Sequence, residues 1–232
     1  NLDNIEQIRF SGANQTGTFT GAQLTGETLL LTETAAGTSN LIINVATGTT
    51  ANFSNITAST FTSGSDIITI NATGTTNVTG PNLATTINGG SGGDTLIGGT
   101  ANDIINGLNG VDTIDGGDGA DTLVGGAGDD VYLFDTNDVD SGESITEVGG
   151  GGTDVVAIVT STDFSLMTDA SFDEIEQIRF AGANKTGTFT GAQFTGETLE
   201  LTETSAGTSN LVINVASGTT ATFTNLTAGS GF

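Results

Sequence analysis

Cysteine and histidine are absent from this chain of 232 residues, and proline occurs once. Without thiols there is no disulfide and no thiolate metal site. Without imidazole the usual general base and the usual transition-metal ligand are missing. Positive charge is almost as scarce: Arg9, Arg179 and Lys185 stand against 27 acidic residues, for a formal net charge of −24. Nucleic acids and anionic membrane surfaces are held by clustered Lys and Arg, so neither is an expected partner. No run approaches the roughly 18 consecutive apolar residues of a membrane span, so no membrane insertion is expected. No signal peptide opens the chain, which starts at Asn1 without Met and reads as an excised piece. Serine and threonine are plentiful, but with no His and no placed Lys beside them no activated nucleophile is visible, and the chain reads as a non-enzyme.

What is present is repetition. The stretch IEQIRFSGANQTGTFTGAQLTGETLLLTETAAGTSNLIINVATGTT from Ile5 returns from Ile175 with most positions identical, so that Arg9 corresponds to Arg179, 170 residues on. Duplication of a folding unit is the ordinary source of such a pattern. The substitution of Leu30 by Glu200 implies that this position faces water in at least one copy. Arg9 and Arg179 read as surface salt-bridge partners of a neighbouring rung or repeat.

Short β-rich runs, among them TLLLTE, NLIINVA, DIITINA and TTNVTG, recur every 8 to 13 residues between Gly, Thr, Ser and Asn, with almost no helical periodicity. The chain is therefore expected to be all-β. INVATGTTANF from Ile43 and INATGTTNV from Ile70 resemble one another, as stacked rungs of a solenoid would. A flank built as a β-sandwich is the alternative, since short alternating strands fit that as well.

Between Gly89 and Leu133 the sequence divides into nonapeptides: GGSGGDTLI, GGTANDIIN, GLNGVDTID, GGDGADTLV and GGAGDDVYL. Asp94, Asp103, Asp112, Asp121 and Asp130 hold the sixth position; Leu96, Ile105, Ile114, Leu123 and Tyr132 hold the eighth. A sixth unit, GGGGTDVVA from Gly149, supplies Asp154. Stepping back by nine from Leu96 reaches Ile87 and then Val78, so the apolar register runs upstream of the motifs. Glycines permit tight turns and the last three residues extend as a short strand, so two units make one turn of a flattened coil. Units two apart then stack, with their carboxylates roughly 5 Å apart. Such a pair repels by about 3 kcal/mol at an effective dielectric near 20. Carboxylates and backbone carbonyls together make a hard oxygen cage suited to Ca²⁺, and less to Mg²⁺, which demands tighter octahedral geometry.

These nonapeptides resemble the RTX, or haemolysin-type, calcium-binding repeat family, whose members form a parallel β-roll with Ca²⁺ held between successive turns. The resemblance implies several Ca²⁺ ions bridged by units two apart: Asp94 with Asp112, Asp103 with Asp121, Asp112 with Asp130, and Asp154 in the sixth unit. It also implies ligand carbonyls from turn residues: Gly89, Ser91 and Gly92; Gly98 and Thr100; Gly107, Asn109 and Gly110; Gly116, Asp118 and Gly119; Gly125, Ala127 and Gly128. Leu108 in place of the second Gly and Ala101 in place of the fourth are departures expected to strain one turn without removing a carboxylate. Downstream, FDTNDVDSGE carries Asp135, Asn137, Asp138 and Asp140, a further ion site or a solvated loop. The side chains of Asp118 and Asp129 are expected to be exposed.

The expected fold is thus a right-handed parallel β-solenoid with an RTX calcium-binding β-roll segment. Its expected parts are a Thr-rich solenoid over 1–70, the roll and its following loop over 71–157, and a connector with the second Thr-rich copy over 158–232. The family implies a secreted chain that folds outside the cell as calcium binds. The function expected is that of a calcium-dependent extracellular structural protein, a repetitive adhesin, surface-layer or fibre-forming rod. Its partners would be calcium and other copies of itself or a surface. The alternative is an export and folding module of a secreted enzyme or toxin.

Overall fold

The computed structural model describes residues 2, 5–61, 65–147, 152–195, 197–217, 220 and 226–232. Among these residues every strand ladder is parallel, and the chain alternates between two faces. One face carries a nine-stranded sheet. It runs from Thr50–Asn52 through Asn77–Thr79, Thr95–Gly99, Thr113–Gly117, Val131–Phe134, Val155–Ile158, Gln177–Phe180 and Leu199–Glu203 to Leu226–Ala228. The other carries seven strands, Thr16–Thr20, Asn40–Val45, Ile67–Ala72, Thr85–Gly90, Ile104–Asn109, Thr122–Ala127 and Ser144–Thr146. Two three-stranded sheets complete the ends: Gln7–Phe10 with Leu29–Glu33 and Ile56–Ala58, and Thr162–Asp163 with Thr186–Thr190 and Asn210–Asn214. This is a parallel β-solenoid. A sandwich is built from antiparallel ladders, so the alternative for the flanks is not what forms.

The strand-forming logic is the apolar column. Val78, Leu96, Ile114, Tyr132, Val156, Ile178 and Leu201 lie directly over one another on one face. Ile70, Ile87, Ile105, Leu123 and Ile145 do so on the other. All are buried, and burying each such side chain contributes about 1.5–3 kcal/mol before entropy is counted. Ile43 also pairs with Ile70, so the two similar runs are stacked rungs as their sequences suggested. Asn106 donates its side-chain amide to Asn88, and Asn88 to Asn71, a polar ladder that ties three rungs together at 2.9 Å per step.

Rung length sets the width of the interior. Stacked residues are 18 positions apart in the middle, as from Asp94 to Asp112, but 22 to 27 apart in the flanks, as from Val155 to Gln177, from Asn14 to Thr38 and from Ser39 to Asp66. The narrow rungs leave room for one aliphatic side chain from each face. The wider ones are filled by phenylalanine: Phe164 stacks on Phe189 with centroids 4.6 Å apart, and Phe134, Phe172 and Phe194 pack around them edge-on. Glu200 is exposed and Leu30 half-buried, as their exchange required. Arg9 and Arg179 lie beside Thr32 and Thr202 on the outer surface. Among the described residues neither makes the ion pair expected of it: the adjoining rungs place Thr32 beside Arg9, and Ala157 and Thr202 beside Arg179, none of them a carboxylate.

Candidate metal centre

Each nonapeptide aspartate sits one residue before its strand, where the chain turns inward. At that point the carboxylate meets the backbone of the preceding rung. Oδ1 of Asp112 accepts the N–H of Asp94 at 2.7 Å, Oδ1 of Asp121 that of Asp103 at 2.7 Å, and Oδ1 of Asp130 that of Asp112 at 2.8 Å. Two columns result, one on each edge of the coil. At their upstream ends Asp94 accepts from the N–H and hydroxyl of Thr76, and Asp103 from the N–H of Thr85.

The second oxygen of each carboxylate is different. Oδ2 of Asp94, Asp103, Asp112, Asp121 and Asp130 is buried and has no hydrogen-bond partner. A buried charged oxygen without a partner is costly, and here the pattern repeats on five consecutive units. Each Oδ2 points at the first glycine of its own unit. A Cβ added to Gly89 would lie 2.8 Å from Asp94 Oδ2 and 2.6 Å from the carbonyl oxygen of Gly107, the first residue two units on. The same holds at Gly98 with Asp103 and Gly116, and at Gly107 with Asp112 and Gly125. Glycine at these positions thus leaves open a cradle in which a carboxylate oxygen and a carbonyl oxygen from adjacent rungs converge.

The remaining turn positions form the rim. Ser91, Thr100, Asn109, Asp118 and Ala127 are exposed, the Asp118 side chain included, while Gly92, Gly110, Gly119 and Gly128 are half-buried. The carbonyl oxygen of Gly110 occupies the place a side chain at Gly128 would need. Leu108 adopts φ +78°, matching the left-handed glycines 90, 117 and 126 at the same position, so the expected strain is present. Of the sixth unit, Gly149 to Gly151 lie outside the described residues. Its Asp154 is buried and accepts the N–H of Asp130 at 2.8 Å, continuing the column.

The columns extend further than the nonapeptides. Glu143 Oε2 accepts the N–H of Asp121 at 2.7 Å, with its Oε1 again buried and without a partner. Glu176 Oε2 accepts that of Asp154 at 2.7 Å, and Asp66 Oδ1 that of Ser39 at 2.9 Å. The sequence signal for these three was available: an acid two residues before a buried apolar residue, here Ile145, Ile178 and Ile68. At the last cradle, beside Gly125, Glu147 stands where a glycine carbonyl stood before. Carboxylate oxygens of Asp130, Glu147 and Asp154 lie within 4.8 Å of one another, and Tyr132 donates its hydroxyl to Glu147. Asp138 is buried and accepts the N–H of Asp135, while Asp135 and Asp140 are exposed.

Burial pushes these acids well above the ordinary carboxylate range, the donated N–H groups pull them back, and neighbouring carboxylates push again. Asp103 is raised to about 8, Asp112, Asp121 and Asp154 to about 6, Glu143 to about 9 and Glu147 to about 7. Asp94 and Asp130 are raised for the same leading reason, loss of water. Oxygen-only cradles that hold carboxylates out of water suit a hard cation of Ca²⁺ size, whose charge removes the cost.

A parallel β-roll with a carboxylate at every half-turn defines a class of calcium-binding repeat. The family model for four copies of the RTX calcium-binding nonapeptide repeat matches residues 84–114 and 97–132. Those 49 residues carry RTX repeats, and Ca²⁺ is the ion such repeats bind. No curated protein and no solved structure matches the chain. The repeat is a structural calcium-binding module of typically secreted proteins, toxins and enzymes among them. Among the described residues no helix is long and apolar enough to cross a membrane.

Proposed function

We propose that this chain is part of a calcium-stiffened extracellular rod, a repetitive adhesin, surface-layer or fibre-forming protein that folds as calcium binds after secretion. One observation carries the reading: five consecutive units each bury a carboxylate oxygen with no partner, aimed at the first glycine of its own unit, and in the first three a carbonyl oxygen of the next rung enters the same cradle. In that reading Asp94, Asp103, Asp112, Asp121, Asp130 and Asp154 bridge successive rungs through Ca²⁺. Carbonyls of the first, third and fourth turn residues complete the shells. Metal binding is then folding free energy, because the empty cradles oppose closure. The parts are a Thr-rich coil over 1–70, the roll over 71–157 and a connector with the second coil over 158–232. The nine-stranded sheet supports a rod over a detachable export module, since strands of both coils continue the ladder of the roll.

Circular dichroism with and without EGTA tests the proposal. Chelation is expected to remove the β signal of the Gly89–Leu133 segment and calcium to restore it; a signal indifferent to both would sink the reading.

A further inference from the structure

The two copies of the repeated segment are nearly the same in sequence but not in burial. Ile175 is 2 % exposed and its counterpart Ile5 is 46 % exposed. Phe172, Ile178, Phe189 and Gln193 are fully buried, whereas Leu2, Ile8, Phe19 and Gln23, each 170 residues earlier, are only half-buried. The difference has one source. In the second copy these residues are covered by the stretch from Asp154 to Ala170, and among the described residues nothing covers the first copy in that way.

The covering contacts are specific. Val155–Ile158 pairs in parallel with Gln177–Phe180, and Thr162–Asp163 with Gly187–Thr188. Gln177 and Ala181 donate backbone N–H groups to the carbonyls of Asp154 and Ile158, and Thr186 donates to the hydroxyl of Ser161. Phe164 stacks on Phe189. Gln193 donates its amide to the carbonyls of Phe164 and Met167 at 2.8 and 2.9 Å, while its own Oε1 accepts from the N–H of Thr190. The first copy keeps half of this last arrangement: Gln23 Oε1 accepts from the N–H of Thr20 at 2.8 Å, and among the described residues its amide group donates to no carbonyl. Glu6 stands where Glu176 accepts the N–H of Asp154, and is exposed.

We infer that the edge formed by Leu2, Ile5–Phe10 and Thr16–Gln23 is a seat, and that its occupant is a stretch with the sequence of residues 154–170 from another copy of the 170-residue unit. The seat deepens the rod reading, on which it rests, by naming the surface through which units stack end to end. Paired ladder bonds give affinity, and the pockets for Ile5 and Phe19 give register. An uncovered parallel edge with apolar side chains beside it is otherwise a site of indiscriminate pairing.

The test uses the full chain, calcium-loaded, and the same chain extended by a copy of residues 65–170 placed before Asn1. Amide hydrogen exchange is read on the peptides covering residues 5–23, which occur once in both proteins. Exchange at Gln7, Ser11 and Thr16 is expected to slow by about tenfold or more in the extended chain, toward the rates of Gln177, Ala181 and Thr186. Phe164→Asp in the added copy alone is expected to abolish that gain. Unchanged exchange in the extended chain would overturn the seat. Chelation followed by circular dichroism on the same two proteins separates the failures: gained protection with a calcium-indifferent β signal removes the calcium reading and leaves the seat, and the reverse result removes only the seat.

Discussion

The backbone N–H of Asp112 donates to Oδ1 of Asp130 at 2.8 Å, while Oδ2 of the same Asp130 is buried with no partner. One carboxylate therefore does two unlike things. Its first oxygen closes the ladder between rungs, and its second is left for a cation. Asp112 also accepts from Asp94, so it belongs to the middle of its column where Asp94 sits nearer the end.

Asp112→Ala is accordingly expected to remove more bound calcium than Asp94→Ala, because a central carboxylate serves the cradles on both sides of its rung. Titration calorimetry on the two variants gives the stoichiometries. Equal losses would refute the sharing of Asp112 between rungs.

The raised acids set the behaviour of the metal-free chain. A carboxyl whose folded value lies above its unfolded value near 4 stabilises the fold fully below that value and loses the contribution as pH rises through the folded one. For Asp112, Asp121 and Asp154 the loss falls between pH 4 and about 6; for Asp103 it extends to about 8 and for Glu143 to about 9. Calcium-free protein is thus expected to gain β signal on acidification from pH 8 to pH 4, protons standing in for the metal. Apparent calcium affinity is expected to rise over the same interval as pH increases. Circular dichroism of dialysed protein across that range checks the first, and a metal-free β signal lost on acidification would contradict it.

Much of this was legible in the residues. The nine-residue spacing of Asp94 to Asp130 fixes which side chains stack, and the apolar residue two after each acid fixes which face is inward. The phase carried back through Ile87 to Val78 correctly placed the rungs before the motif. Less legible were Glu143, Glu147 and Glu176. Their rungs are 22 residues or more long, so they fall out of the nine-residue count although Glu143 and Glu176 keep the acid-x-apolar step. Glu147 was invisible for a stronger reason: it reaches its cradle from a loop, and no periodicity governs loops. That Arg9 and Arg179 make no ion pair among the described residues depends on what the adjoining rung presents, which the spacing of the copies did not show.

Backbone conformation gives a contrasting pair of substitutions. Leu108 holds φ +78° with its side chain exposed, so Leu108→Gly relieves a left-handed conformation and forfeits little packing. A gain of about 0.5–1 kcal/mol is expected after the entropic cost of glycine is counted. Gly128→Ala is the opposite case, since φ is +142° and the carbonyl of Gly110 fills the space. A loss of about 3 kcal/mol or more is expected, by analogy with other overpacked or strained sites. Calcium-loaded thermal melts rank both against the parent chain, and a destabilised Leu108→Gly would show that its turn is not strained.

The final cradle is where the roll gives way to wider rungs, and its chemistry changes with the geometry. Ser144–Thr146 lies over Thr122–Val124 after a rung of 22 residues, so the glycine carbonyl that enters the cradles at Gly89, Gly98 and Gly107 has no counterpart opposite Gly125. Glu147 Oε1 enters instead, 2.6 Å from where a Cβ of Gly125 would be, with Asp130 Oδ2 at 2.5 Å from the same point. Two full charges replace one charge and one dipole, so the repulsion without metal is larger and the attraction for a divalent ion stronger. Tyr132, driven further from ionisation by burial and by Glu147, donates to that carboxylate and steadies it. Glu147→Gln keeps size and an acceptor oxygen and removes the charge. It is expected to weaken a single calcium site by about 10- to 100-fold, the range seen when groups supporting a metal site are altered, and to leave the others and the metal-loaded β signal intact. In metal-free protein the same variant is expected to be the more stable, because one buried like charge is gone. Calorimetry and metal-free melts together decide the matter: an unchanged titration curve, or a less stable metal-free variant, would show that Glu147 is a structural acceptor for Tyr132 and not a ligand.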